Sequence, residues 1–278
     1  MTLNLETVGQ PIELEPFSYS WKETALYALG VGLGTESLDY VWEGSQTFKV
    51  LPSFGVIPTQ PIVMNALSAV NANLKTLVHG AQTITLHAPL PKSGTLHSVG
   101  RVTEVQDKGK GAVVIIETET RSESGERLFD TTWSIFCRGQ GGFGGARGES
   151  IPLPDQVDGP PIFEKVYPTT PSQAVLYRLS GDLNPLHVDP NLAQKVGFKE
   201  PILHGLCTYG VAVRAVLESV CADDDKTIKS FTARFSQVVF PGDELSVRIY
   251  DSVADNVYRL EVFVGETAVL SHGVVKLG

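Results

Sequence analysis

PILHGLCTYGVAVRAVLESVC, residues Pro201 to Cys221, is apolar on nearly every face apart from Arg214 and Glu218 towards its end. A helix that is apolar all round has no side to give to water and must be buried. The residues after it alternate, and they read as strands near Ile228 to Phe240, Glu244 to Asp251, Val257 to Val264 and Thr267 to Lys276. A helix followed by consecutive strands indicates an α+β fold with a mainly antiparallel sheet, not a doubly wound one. A long antiparallel sheet curled around one central helix is the hot-dog architecture.

Upstream the same order of elements recurs. At an offset of 150, Tyr27 and Leu29 in WKETALYALGVG match Tyr177 and Leu179 in PSQAVLYRLSGD, and Pro91 in HAPLPKSGTL matches Pro241 in VVFPGDEL. Each half opens on a short amphipathic helix. An apolar helical segment, Pro61 to Leu74, precedes strands near Leu77 to Pro89, Thr95 to Val105, Ala112 to Arg121 and Arg127 to Cys137. Two hot-dog units in one chain would pair as a fused dimer, a double hot-dog. Between them RGQGGFGGARGES gives way to IPLPDQVDGPP. This glycine-rich then proline-rich stretch reads as a linker over 138–161, between a first half at 1–137 and a second at 162–278. A phosphate-binding loop is the sharper reading of the glycines, but such a loop must open a helix, and the residues after Gly145 are charged and then broken by proline.

Composition narrows the partners. With 22 Lys+Arg against 31 Asp+Glu the net charge is −9, spread along the chain except for the run Asp223 to Asp225, which disfavours a nucleic-acid backbone. The three cysteines have no CxxC spacing and suit a reducing compartment. The N-terminus has acidic residues and prolines where a signal peptide needs a basic start, and no run of about 18 apolar residues occurs. The expectation is a soluble, intracellular protein without membrane contact.

The chemistry concentrates in LSGDLNPLHVDP, Leu179 to Pro190. Gly181 and Asn184-Pro185 break any helix, so Asp182 and His187 lie on an irregular loop that can aim both side chains at one place. A carboxylate and an imidazole there can share a water, one taking its proton while the other orients it or donates to carbon. The plainer alternative makes Asp182 a turn cap and His187 a core histidine; two polar groups within six residues, just before a buried helix, favour chemistry. Asp189 belongs to structure, as the cap of a short helix with proline in its first turn. Next, the first amides of the helix at His204-Gly205-Leu206 lack internal partners, so the Gly205 N–H could bind an oxygen that becomes anionic. It could equally be a packing glycine beside a capping His204. A metal on Asp182, His187, Asp189 and His204 is disfavoured, because no HxH, HExxH or Cys-rich spacing occurs and His79, His87, His97 and His272 are scattered.

The run YRLSGDLNPLHVDPNLAQKVGFKEPILHGLCTYG, Tyr177 to Gly210, resembles the motif of the MaoC-like (R)-specific 2-enoyl-CoA hydratases, the kind found as the hydratase domain of peroxisomal multifunctional enzymes of fatty-acid β-oxidation. YALGVG at Tyr27 to Gly32, LPSFGVIP at Leu51 to Pro58 and RGQGGFGG at Arg138 to Gly145 are similar to the family's other signatures. The resemblance implies Asp182 and His187 as the acid/base pair, Asn184 as a positioning residue and the Gly205 amide as donor to the thioester carbonyl. It implies hydration of trans-2-enoyl-CoA to (3R)-hydroxyacyl-CoA with no cofactor or metal, CoA being part of the substrate. Phe54, Gly55, His204 and Arg234 are assigned to substrate binding. At offset 150, Asp182, Asn184 and His187 fall opposite Gly32, Gly34 and Ser37, so the first half has lost the catalytic set. Its expected task is to hold substrate, with LPSFGVIP making room for a long acyl chain. A hot-dog thioesterase and a non-catalytic acyl-CoA binding module are the rival functions, and a homodimer is the expected assembly. Val275-Lys276-Leu277-Gly278 is not a Ser-Lys-Leu type of address, which leaves the peroxisomal matrix in a eukaryote or the cytoplasm otherwise.

Overall fold

The computed structural model describes residues 2–74, 76–222 and 226–278; the acidic run Asp223 to Asp225 lies outside the described residues. The helices are α1 (Trp21–Gly30), α2 (Leu38–Val41), α3 (Val56–Ala69), α4 (Gln173–Tyr177), α5 (Pro190–Lys195) and α6 (Gly205–Leu217). The strands of the first half are β1 (Ile12–Glu13), β2 (Phe17–Tyr19), β3 (Leu77–Leu86), β4 (Gly94–Asp107), β5 (Gly111–Ser122) and β6 (Arg127–Arg138). Those of the second are β7 (Phe163–Pro168), β8 (Ile228–Phe235), β9 (Glu244–Asp251), β10 (Val257–Val264) and β11 (Thr267–Leu277). All belong to one sheet in the order β1-β4-β5-β6-β3-β8-β11-β10-β9-β7, with β2 also on β4.

From the centre outwards, β3, β6, β5, β4 on one side answer β8, β11, β10, β9 on the other. At the centre β3 and β8 pair antiparallel with Thr83 opposite Thr232, and their hydroxyls lie 2.9 Å apart. A local two-fold axis therefore passes between two threonines one residue short of the offset seen in the sequence. α3 lies against β4, β5 and β6, and α6 against β8 and β9, so each half is an antiparallel sheet around its own helix: a double hot-dog of the α+β class. From Leu206 to Val213 every residue of α6 is buried. Each fully buried aliphatic or aromatic side chain there contributes about 1.5–3 kcal/mol.

The halves also interlock behind the sheet. The Tyr27 and Tyr177 rings, equivalent in the repeat, meet at 5.9 Å, and the Gln173 amide donates to the Gly30 carbonyl at 2.6 Å. Gly210 lets this contact close, since a Cβ on it would sit 2.5 Å from Val31.

Several boundaries differ from the sequence expectation. α3 starts at Val56 instead of Pro61, because Pro58 is tolerated in a first turn and Pro61 is then held inside the helix by the buried residues on both sides of it. Pro201 to His204 is not helical: the Leu203 amide pairs with the Val239 carbonyl at 2.7 Å, which keeps the segment extended and ends β8 early, at Phe235. The short strands β1, β2 and β7 were not legible, since each is only partly buried.

The glycine-rich segment does bind an anion, but the anion is the chain's own. The amides of Gly109, Gly142 and Gly144 converge on the Asp107 carboxylate at 2.7–2.8 Å. These bonds hold the Asp107 carboxyl below its usual range. Beyond it, Ile151 and Pro152 cross the outer face of the central strands, bordering a groove of ≈ 340 Å³ with Thr83, Thr85, Ser230 and Thr232. Among the described residues no helix is long and apolar enough to cross a membrane.

Candidate active site

The loop between α4 and α5 is a chain of side-chain-to-backbone turns. Gly181 has φ +140°, a conformation strained for residues with a side chain, and it turns the backbone out of the α4 region. Asp182 Oδ1 then accepts from the Asn184 amide at 3.2 Å, and Asn184 Oδ1 accepts from the Leu186 amide at 3.1 Å. Asn184 thereby caps the 3₁₀ turn Pro185–His187, whose last residue is the imidazole. Asp189 caps α5 through the Asn191 amide at 2.8 Å, the structural role expected of it.

This loop folds against the extended Pro201–His204 segment, and two carbonyls there fix the histidines. His187 Nδ1 lies 2.8 Å from the Ile202 carbonyl, and His204 Nε2 lies 3.2 Å from that of Asp182. A carbonyl only accepts, so each of those nitrogens carries a proton. His187 therefore keeps its lone pair on Nε2 and His204 on Nδ1. Burial pushes both imidazoles towards the neutral form: His187 is held below the ordinary histidine range, and His204, buried and beside His187, is pushed down to about 4. The two rings stack at 3.6 Å and 26°, with Tyr177 packed on His204 at 4.9 Å.

One donor atom from each of Asp182, His187 and His204 falls within a 4.8 Å group, the set that could hold a cation. The ring planes argue against it. A metal must lie in the plane of each ligating imidazole, about 2.0–2.1 Å from its nitrogen. The two rings instead lie stacked, with centroids 3.6 Å apart and planes 26° from parallel, an arrangement poorly suited to turning both lone pairs onto one ion.

Immediately after His204, α6 begins at Gly205, whose N–H is in the helix's unpartnered first turn. A Cβ on Gly205 would sit 3.1 Å from the Phe235 ring, so a side chain would crowd the approach to this amide. The structure thus gathers Asp182, His187, His204 and the Gly205 amide, with Asn184 shaping the loop.

It does not gather the other assigned substrate contacts. Phe54 is 1% exposed, edge-on to Tyr27 at 5.8 Å, and an added Cβ on Gly55 would lie 2.7 Å from Ile84 and 3.1 Å from Phe129. LPSFGVIP is therefore packed core leading into α3, not an open passage. Arg234 alternates with Phe235 along β8 and lies exposed on the opposite, outer face of the sheet. At the first-half counterpart of the loop, the Arg214 guanidinium donates to the Gly32 carbonyl and pairs with Glu36 at 3.2 Å, tying that loop to the end of α6.

Two groups escaped the sequence reading. The Ile202 carbonyl that orients His187 left no signal beyond the neighbouring Pro201. His79, on β3, senses the charge of Asp182, and its signal was a glycine, Gly80, inside a strand.

Comparison with known proteins finds a match in each half of the chain. Residues 17–139 match the MFE-2 hydratase 2 N-terminal domain, and residues 153–272 match the MaoC like domain. The chain is 42% identical to 3-hydroxyacyl-thioester dehydratase Y of Mycobacterium tuberculosis over 99% of both chains. It is 40% identical to a probable enoyl-CoA hydratase 2 of Dictyostelium discoideum, covering 86% of this chain and 84% of that one. Its structure superposes on full-length peroxisomal multifunctional enzyme type 2 of Drosophila melanogaster with a TM-score of 0.83 and 36% identity, over 97% of this chain and 49% of that one. With both halves matched in order and close relatives aligned from end to end, the chain belongs to the MaoC-like hydratase 2 family.

Proposed function

We propose that this hydro-lyase adds water across the double bond of a trans-2-enoyl-CoA to give the (3R)-hydroxyacyl-CoA, and runs the reverse dehydration, with Asp182 and His187 as its proton-handling pair. The observation that carries this reading is the arrangement of acceptors beside a donor. The Asp182 carboxylate and a ring nitrogen of His187 fall within one 4.8 Å group, His187 keeps its lone pair on Nε2, and His204, stacked on His187, leads directly into the first amide of α6 at Gly205. A water held by two acceptors exposes its own oxygen lone pair to an electrophile. As that oxygen bonds to C3, the π pair moves towards C2 and the thioester oxygen, where the Gly205 N–H stabilises the developing negative charge. The proton leaves the water for one member of the pair and passes from there to C2. Both residues return to their starting states, so the cycle consumes only water and needs no metal or other cofactor.

His204 touches both members of the pair, through its stack on His187 and its bond to the Asp182 carbonyl, and acts as a positioning residue. Asn184 acts likewise by capping the turn that presents His187. In a eukaryotic cell the reaction belongs to the peroxisomal matrix, otherwise to the cytoplasm.

The test follows crotonyl-CoA by loss of enoyl-thioester absorbance, alongside free-thiol release from a saturated acyl-CoA, before and after prolonged chelation. Hydration without thiol release, unchanged by chelation, is the expected result. Thiol release would make the protein a thioesterase, saturable binding without turnover a binding module, and activity lost with a stoichiometric metal would overturn the metal-free cycle.

A further inference from the structure

Behind the site, polar atoms are buried where a hydrophobic core needs none. Tyr27, Tyr177 and Ser53 are fully buried and His204 is 1% exposed. Yet Tyr27 Oη, Tyr177 Oη, Ser53 Oγ and His204 Nδ1 have no direct hydrogen-bond partner among the described residues. Buried polar groups are rarely left so, because an unpaired one has lost its hydration without replacement.

The four are neighbours. Tyr177 packs on His204 at 4.9 Å, the Tyr27 and Tyr177 rings meet at 5.9 Å, and Tyr27 lies edge-on to Phe54, the residue after Ser53, at 5.8 Å. Burial raises the Tyr27 phenol well above its ordinary range, while the Ser53 and Tyr177 hydroxyls close beside it pull the other way. These hydroxyls are thus within reach of one another without direct bonding geometry, the spacing an internal water fills when it has about two to four polar partners. Glycine keeps the room open, since a Cβ on Gly210 would sit 3.0 Å from Tyr27 Oη.

The repeat shows which half the hydroxyls serve. At the 150-residue offset Phe54 stands opposite His204, and Tyr27 packs on Phe54 as Tyr177 packs on His204. A phenyl ring has no lone pair to satisfy. The first half has therefore given up the imidazole but kept the phenol, whose hydroxyl meets that of Tyr177.

We propose that Tyr27, Ser53 and Tyr177 form, with internal water, a buried hydrogen-bond network that donates to His204 Nδ1, so that the first half positions the catalytic loop through one imidazole. A donor at Nδ1 holds the lone pair there and keeps the proton on Nε2, where it bonds to the Asp182 carbonyl. Without that donor the ring can carry its proton on Nδ1 and release the carbonyl. Tyr27, Ser53 and Tyr177 are positioning residues. Their effect on turnover rests on the hydratase reading, whereas their effect on the tautomer does not.

The experiment reads the tautomer first. In protein labelled with ¹⁵N-histidine, the His204 signal, assigned by its loss in His204→Gln, should be that of one neutral Nε2–H form at neutral pH. Tyr27→Phe and Tyr177→Phe keep both rings, and each should bring in a share of the Nδ1–H or doubly protonated form. With crotonyl-CoA each should lower kcat about tenfold with little change in KM, the scale of one lost buried hydrogen bond. Each should also move the acid limb of the pH profile upwards, because a donor at Nδ1 opposes protonation there. The other titratable groups around His204, namely His187, Asp182 and Arg178, are unaltered in these variants. The double variant should be no worse than the poorer single one, since one network fails as a unit. Ser53→Ala should show the same shifts in smaller measure, and it carries the test if a phenylalanine variant does not fold. A wild-type tautomer and pH profile in every variant, or losses confined to thermal stability, would overturn the network. So would losses that multiply in the double variant, which would make the two phenols independent supports. Absence of hydration by the wild type would defeat the hydratase reading and leave the tautomer to decide the network.

Discussion

Two backbone carbonyls, those of Ile202 and Asp182, decide what the site histidines can do. By accepting from Nδ1–H of His187 the first leaves Nε2 free to accept, and by accepting from Nε2–H of His204 the second keeps that ring against its neighbour. Asp182→Asn and His187→Ala should therefore each lower kcat by about a hundredfold or more, the usual scale for loss of a general acid or base, with unchanged circular dichroism. A folded variant with near-normal turnover would remove that residue from its role. The same burial makes a prediction about acid. His79 and His204 are pushed down to about 4 and His187 also lies below its ordinary value, so the unfolded chain binds protons that the folded chain refuses. Where the unfolded state holds more protons, stability rises with pH. The urea midpoint should hold steady above roughly pH 6.5, the unfolded histidine value, and fall as pH drops from there towards about 4. The acid limb of kcat/KM should likewise lie below the ordinary histidine pKa, because protonated His187 has no lone pair for water. A midpoint that is flat or rises on acidification would show these rings to be charged in the fold.

At the scale of elements, what the sequence made legible was what glycine and proline punctuate. The loop from Gly181 to Asp189 was readable because Gly181, Asn184 and Pro185 exclude helix and leave few conformations for the residues between. The burial of α6 was readable from its lack of a polar face. LPSFGVIP misled for the same kind of reason: two prolines and a glycine suggested an opening, whereas Gly55 is there because Ile84 and Phe129 leave no space for a side chain. Gly55→Val should therefore act on stability, lowering it by about 1–3 kcal/mol as overpacking does, and depress activity on short and long enoyl-CoA alike. A raised KM confined to long chains, with unchanged thermal stability, would return this segment to the acyl path. The bulge at Gly80, where β3 loses register with β6, was not legible in kind, since a strand glycine marks a change of alternation without saying which neighbour it turns inward.

For the whole molecule, the repeat was visible in a handful of residues because the two-fold axis passes through the middle of the sheet. Tyr27 and Tyr177 occupy equivalent places across it, and Thr83 faces Thr232 on it. The continuous β3–β8 ladder gives neither half a finished edge, so the chain should melt in one calorimetric transition, with equal calorimetric and van't Hoff enthalpies. Two separated transitions would make the halves independent. One chain also completes the paired arrangement by itself, so specific activity should not depend on protein concentration, whether or not chains dimerise. The proposed reaction turns on one water, which Asp182 and His187 would hold on one face of the enoyl group with the thioester oxygen at Gly205. Its most direct test is hydration of trans-2-decenoyl-CoA followed by chiral analysis of the 3-hydroxyacyl product, in wild type and Asp182→Asn. The wild type should give (3R) product and the variant almost none; (3S) product, or undiminished (3R) product without the Asp182 carboxylate, would contradict this assignment of the water.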